Sequence, residues 1–244
     1  MSDLAYLFQN RSLLRDTGVP YIWFSVQVSG QFSRSRSHIY LVDRTAEPAL
    51  IDKYKDTPGS PFTILNPEYE RVICGNKEEM VENFRNWLLN GRRSSFRTVP
   101  LLVSQGELTP EWKFLRKADK IDLLYAVRAN QAHRASPLLV KAVPELRIKC
   151  TDGVTRTLGL LAVPTEKLLR ECPHLHFVEL PNATREDWGF LSIFGVLTKC
   201  NTTARIRELK ALSGLPAAQV NREAIHAIYD ALSKANTLDK EEIM

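Results

Sequence analysis

The 244 residues predict an α+β protein. Three observations carry this expectation. Short runs of aromatic and β-branched residues bounded by turn residues mark strands, and longer stretches with apolar residues three and four apart, opened by capping residues, mark helices. The two kinds mix without the regular strand–helix–strand spacing of a doubly wound sheet. The strands are expected to be short, mainly antiparallel and paired in hairpins against helices, with a helical C-terminal part. A chain with 44% hydrophobic and 25% charged residues is globular and can bury a real core, as one large or two small domains. Three segments are expected: a β-rich stretch 1–68 closing in a proline-containing linker, an α+β core 69–200 and a helical segment 201–244.

Taken in order, Tyr21–Ser29 (YIWFSVQVS) and His38–Val42 (HIYLV) read as strands flanking the polar stretch GQFSRSRS, and so as a hairpin with a long connection. Lys53–Pro67, with Pro58, Pro61 and Pro67, reads as a linker, because proline interrupts regular pairing. Asn76 followed by Glu79 approximates a capping box. It opens a helix with Met80, Phe84, Trp87 and Leu88 on one face, ending near Asn90-Gly91. Val99–Val103 reads as a buried strand, and Thr109-Pro110-Glu111 as a helix start, with helices following to about Gln131 and a break near Asp119. Leu146–Cys150 and Arg156–Leu160, joined by Thr151-Asp152-Gly153-Val154, give the clearest hairpin, since Asp-Gly supplies the positive dihedrals of a tight turn. A short helix follows over Thr165–Arg170 and an extended run over His174–Leu180. Helices are expected at about 184–194, 203–213 and 217–235, with the terminal DKEEIM frayed.

Within the first of these C-terminal helices, Trp188–Val196 (WGFLSIFGV) places Trp188, Leu191 and Phe194 at helical spacing, with Thr184 as a cap and Gly195 as a left-handed stop. This is a packing element in which Trp188 and Leu191 should be buried. Around it lie FRNWLL (84–89), TVPLLVSQGELTPEWKFL (98–115), ELRIKCTDGVTRTLGLLAVPT (145–165) and FVELP (177–181). In that order these blocks resemble the region downstream of the ATPase module in fungal relatives of sacsin and of the plant protein NO VEIN, over roughly residues 70–200. The resemblance implies a scaffold or interaction module coupled to a GHKL-type ATPase elsewhere, and a chain that is a fragment of a larger gene. A GHKL site needs an Asn/Asp-bearing helix for magnesium and an Asp-x-Gly-x-Gly turn, and neither string is present.

The net charge of +5 is uneven: 0 over residues 1–75, +6 over 76–150 and −1 over the remainder. Within the basic third, Arg92, Arg93 and Arg97 surround Phe96, which gives a loop able to hold phosphates and stack a base. Lys113, Arg116, Lys117 and Lys120 fall on one helix face at i, i+3, i+4 and i+7, with Glu111, Asp119 and Asp122 nearby to offset them. Both groups read first as solvated charge and second as a surface for nucleic acid or an acidic partner. Ser33–Ser37 (SRSRS) reads as a hairpin tip, and phosphorylation there would reverse its charge. Cys172, His174 and His176 would share one side of an extended segment, but no fourth ligand lies near, so a strand edge is preferred over a zinc site.

The chain contains no G-x-x-x-x-G-K-[ST], G-x-G-x-x-G, G-x-S-x-G or H-E-x-x-H string. The expectation is a non-catalytic module with protein partners and no cofactor or metal. The alternatives are a nucleic-acid or acidic-partner binder using the basic third, and an enzyme with an unfamiliar site. Asp3 and Arg11 interrupt the N-terminal stretch, the longest apolar run is Leu158–Val163, and Cys74, Cys150, Cys172 and Cys200 are widely spaced. These features suit a cytoplasmic or nuclear protein of reduced thiols rather than a secreted or membrane one.

Overall fold

The computed structural model describes residues 8–9, 23–25, 32–34, 39–41, 50–66, 68–75, 77–90, 96–131, 134–183, 188–216 and 221–241. The fold is α+β, and the chain divides into two compact units, Met1–His133 and Arg134–Met244.

In the first unit, β1 (Trp23–Ser25) pairs antiparallel with β2 (Phe32–Arg34), with Trp23 opposite Arg34. The partner therefore lies inside the stretch read as a polar connection, and the hairpin expected between Tyr21–Ser29 and His38–Val42 does not form. Instead β3 (Ile39–Tyr40) is the centre of a parallel three-stranded sheet, flanked by β4 (Thr63–Ile64) and β5 (Phe96–Arg97). The reason is visible in HIYLV: a continuous apolar run suits a strand buried on both faces, whereas a hairpin with one wet face would alternate. Ile39 and Leu41 enter one cluster with Phe8, Leu65, Tyr69, Phe84 and Leu88, while Tyr40 packs on Phe62, ring centres 5.3 Å apart.

Parallel strands need crossover helices, and these come from the segment read as linker and from the helix after it. Lys53–Pro67 is not a linker: α1 (Leu50–Tyr54) runs into it, burying Leu50, Ile51 and Tyr54, and β4 lies within it. Pro58 and Pro61 fall outside the paired residues, so they cost no ladder bond. Crossing to β5 are α2 (Glu68–Cys74) and α3 (Glu78–Asn90). As expected, α3 turns Phe84 and Leu88 fully inward with Met80 and Trp87 packed beside them. Next, β6 (Val103–Ser104) and β7 (Glu107–Leu108) form a hairpin through Gln105 and Gly106, both at positive φ. The strand thus takes only the last residue of the expected Val99–Val103.

Thr109 caps α4 (Pro110–Ala118), its hydroxyl accepting from the Trp112 amide, with Pro110 in the first turn. Asp119 ends that helix and caps α5 (Lys120–Ala129), accepting from the Ile121 and Asp122 amides.

In the second unit a short helix absent from the expectation, α6 (Pro137–Ala142), precedes the hairpin β8 (Arg147–Lys149) and β9 (Thr155–Thr157). The turn forms as expected, with Gly153 at positive φ and the Asp152 carboxylate accepting from the Val154 amide. A 3-10 turn η1 (Leu158–Leu160), the capped α7 (Glu166–Glu171) and a second 3-10 helix η2 (Gly189–Phe194) follow. The segment expected as an α-helix over about 184–194 is thus a 3-10 helix, and its proposed cap Thr184 lies outside the described residues. The geometry fits the spacing, because three residues per turn stack Trp188, Leu191 and Phe194 on one edge. All three are buried, and Gly195, left-handed at φ 78, stops the helix. Asn201 caps α8 (Thr202–Ser213), and α9 (Arg222–Glu241) closes the described chain. Among the described residues no helix is long and apolar enough to cross a membrane.

Candidate functional site

In the second unit, α7 ends at Cys172 and the chain turns at Pro173-His174, against α8. On α8 the buried stripe is Ala204, Glu208 and Leu212, so a carboxylate occupies a position that helical spacing assigns to the core. Glu208 is 1% exposed. Burying a charge this deeply demands compensation, and His174 supplies it. Its backbone amide donates to both carboxylate oxygens at 3.1 Å, and its Nδ1 lies 2.6 Å from Oε1. His174 thus engages the buried carboxylate through both its ring nitrogen and its backbone amide.

Beside this pair lies a cleft of about 310 Å³ whose walls include Arg170, Glu171, His174, Arg205, Glu208 and Ile228. Glu171 accepts from Arg205 at 3.2 Å and from Arg170 at 3.4 Å. The Cys200 thiol, with these cations, holds the Glu171 carboxyl below the usual carboxylate range. Cys172 is buried with its Sγ 3.8 Å from that of Cys200, and burial followed by the neighbouring thiol pushes it up to about 12. The ionic groups of the cleft therefore engage one another.

The cluster Cys172–His174–His176 separates. Cys172 faces Cys200, His174 faces Glu208, and His176 sits with its Nδ1 3.7 Å from the Asp152 carboxylate. Asp152 in turn lies below its ordinary range, through the Val154 amide first and Arg156 second. Among the described residues no group of three or more His, Cys, Asp or Glu side chains is placed to hold a metal.

A second feature of this unit is apolar. Gly159 in η1 abuts the end of η2: a Cβ built there would lie 3.0 Å from Pro144 Cβ and 3.6 Å from the Phe194 carbonyl. Next in chain to these contacts stand Leu160, 67% exposed, and Ile193, 45% exposed. Packed against η2 is α6, which carries Val140, also exposed. Three large aliphatic side chains thus face solvent from elements that meet at one junction.

In the first unit the basic residues are only partly brought together. Arg92 and Arg93 lie outside the described residues, and Arg97 is exposed on β5. Lys113, Arg116 and Lys117 share the exposed side of α4, but Lys120 does not continue their stripe, because the extended backbone of Asp119 ends the helix before it. Of the three acids expected to offset these charges, Asp119 stays part-exposed as the cap between the helices, while Glu111 and Asp122 are turned inward. Glu111, 6% exposed, accepts from the Tyr40 hydroxyl at 2.8 Å. Asp122, 5% exposed, accepts from the Tyr54 hydroxyl and from Lys53 Nζ, each at 2.5 Å. Desolvation, followed by these carboxylates, raises both tyrosine hydroxyls well above their ordinary range and keeps them as donors.

A scan against protein-family models, a search of curated proteins and a search of solved structures return no match to this chain.

Proposed function

We propose that the chain is a non-catalytic scaffold or interaction module that takes a protein partner on the apolar surface around Gly159. The observation that carries this reading is the exposure of Leu160, Ile193 and Val140 on elements packed together there. Large aliphatic side chains exposed on elements that pack together offer a partner apolar area, because covering them recovers free energy that is lost in water. Two further points support it. The ionic groups of the cleft are satisfied by one another, as in a structural network. The order of the sequence blocks resembles the region beyond the ATPase module in sacsin- and NO VEIN-like chains, where such a segment would transmit a nucleotide-driven change from a domain elsewhere. On this reading the chain binds no cofactor and works in the cytoplasm or nucleus.

The test is quantitative affinity capture with the wild-type chain, a Leu160→Glu/Ile193→Glu variant and a Val72→Glu control, all verified as folded by circular dichroism. Val72 is half-exposed in the first unit. The double variant should lose the partners that both other proteins retain; an identical partner set across all three would overturn the proposal.

One observation favours a second reading. With Glu111 and Asp122 turned inward, the α4 face bearing Lys113, Arg116 and Lys117 is more basic than its sequence neighbours suggest. That face would take nucleic acid or an acidic protein, with affinity that falls as salt rises.

A further inference from the structure

We propose that Cys172 and Cys200, next in the fold to the His174–Glu208 pair, form a reversible disulfide in response to peroxides. This rests on thiol geometry and is independent of the apolar surface around Gly159.

The two thiols lie 3.8 Å apart, both reduced, at the ends of segments rather than inside them. Cys172 follows the last turn of α7, and Cys200 precedes the cap of α8. A disulfide needs its sulfurs at about 2.05 Å, so the gap to close is smaller than 2 Å, within the sweep of side-chain rotation at two chain ends. The pair is also asymmetric in the way stepwise oxidation requires. Cys200 is partly buried and the more accessible of the two, whereas Cys172 is fully buried beside it. The Cys200 side chain hydrogen-bonds the Glu171 carboxylate, which stands ready to take up the thiol proton.

The chemistry balances in two steps. The Cys200 thiolate attacks one oxygen of a hydroperoxide, breaking the O–O bond; sulfur is oxidised to a sulfenic acid and the alkoxide or hydroxide leaves, taking up the proton the thiol lost. Cys172 then attacks the Cys200 sulfur, the S–S bond forms, and the sulfenic hydroxyl departs with the Cys172 proton as water. Two thiols and one peroxide give one disulfide, one alcohol or water, and one further water.

The same sulfur separation would suit two thiolates on one zinc ion, since tetrahedral bonds of about 2.3 Å place sulfurs about 3.8 Å apart. The surrounding groups argue for the disulfide. Both His174 Nδ1 and the Glu171 carboxylate are turned to other partners, and the guanidinium of Arg205 stands where a dication would be repelled.

The experiment is peroxide titration of the purified full chain, followed by alkylation under denaturing conditions and mass spectrometry. The expected result is loss of about 2 Da, recovered on reduction, with a cross-linked Cys172–Cys200 peptide while Cys74 and Cys150 stay alkylatable. Closing this loop should also raise the Tm of the second unit by roughly 9–17 °C, a rise absent in Cys200→Ser. Progress of Cys200 to sulfinic acid with Cys172 still alkylatable would overturn the proposal, as would a stoichiometric zinc ion whose removal is needed before either thiol reacts. The mapping uses the unmodified protein, so the result stands even if the serine variant folds poorly.

Discussion

Replacing Trp188 by alanine tests whether the 3-10 segment is core. Its indole is 2% exposed, lies 6.0 Å from the Phe190 ring and shares an edge with Leu191 and Phe194. Truncating a fully buried tryptophan costs about 3–5 kcal/mol, the sum of lost transfer free energy and the cavity left behind. Phe190 meets Phe194 edge-on at 6.5 Å and the Arg134 guanidinium at 5.0 Å, so the walls are held from behind and cannot collapse freely into the void. That places the cost toward the upper end of the range. For a unit of ~110 residues with a melting entropy of about 0.23 kcal/mol/K, the Tm should fall by roughly 13–22 °C. Differential scanning calorimetry of the full chain would read this in the transition of the second unit. Leu160→Ala, at an exposed site, serves as reference and should shift the same transition by less than about 3 °C. A Trp188→Ala variant melting with the parent would refute the packing argument and make the block a surface.

Other perturbations have defined outcomes. Glu208→Ala strands the His174 amide and Nδ1 beside a buried gap and should cost about 2–4 kcal/mol by urea unfolding, with Glu208→Gln costing less because it keeps an acceptor. Gly195→Ala places a side chain at φ 78 and should cost about 1–2 kcal/mol by the same measurement. Asp152 and Glu171 both have folded pKa values below their ordinary range. Their contribution is therefore present above the unfolded values of about 4 and is lost as pH falls through the folded ones, so the Tm should drop below about pH 4. An Asp152→Asn/Glu171→Gln variant should show a shallower acid limb in the same melts.

The local elements were legible where their chemistry is local. Thr109-Pro110, Asp119 and Asp152-Gly153 act through neighbouring amides, and each forms the cap or turn that its residues predict. The α3 face and the burial of Trp188 were readable from apolar spacing alone. Strand partners were not. HIYLV could be recognised as a strand, but its parallel neighbours Thr63–Ile64 and Phe96–Arg97 lie far along the chain, and nothing local encodes that pairing. The sequence groups Cys172 and His174 with His176 as alternate residues of one extended segment, and nothing local in it points to their actual neighbours Cys200 and Glu208. Their counterpart Glu208 carried a signal that was there to be read, a carboxylate four residues from Ala204 and four from Leu212 on the buried side of a helix. Glu111 and Asp122 illustrate the converse: acids beside a basic stripe look like surface charge until Tyr40 and Tyr54 draw them inward.

The interaction claim is met most directly by hydrogen exchange on the chain alone and bound to a partner retained by the Val72→Glu control. The account predicts slowed exchange over 158–161 and 189–196 in the complex, with the α4 basic face unchanged. Protection confined to α4 and β5, or spread nowhere near Gly159, would contradict it.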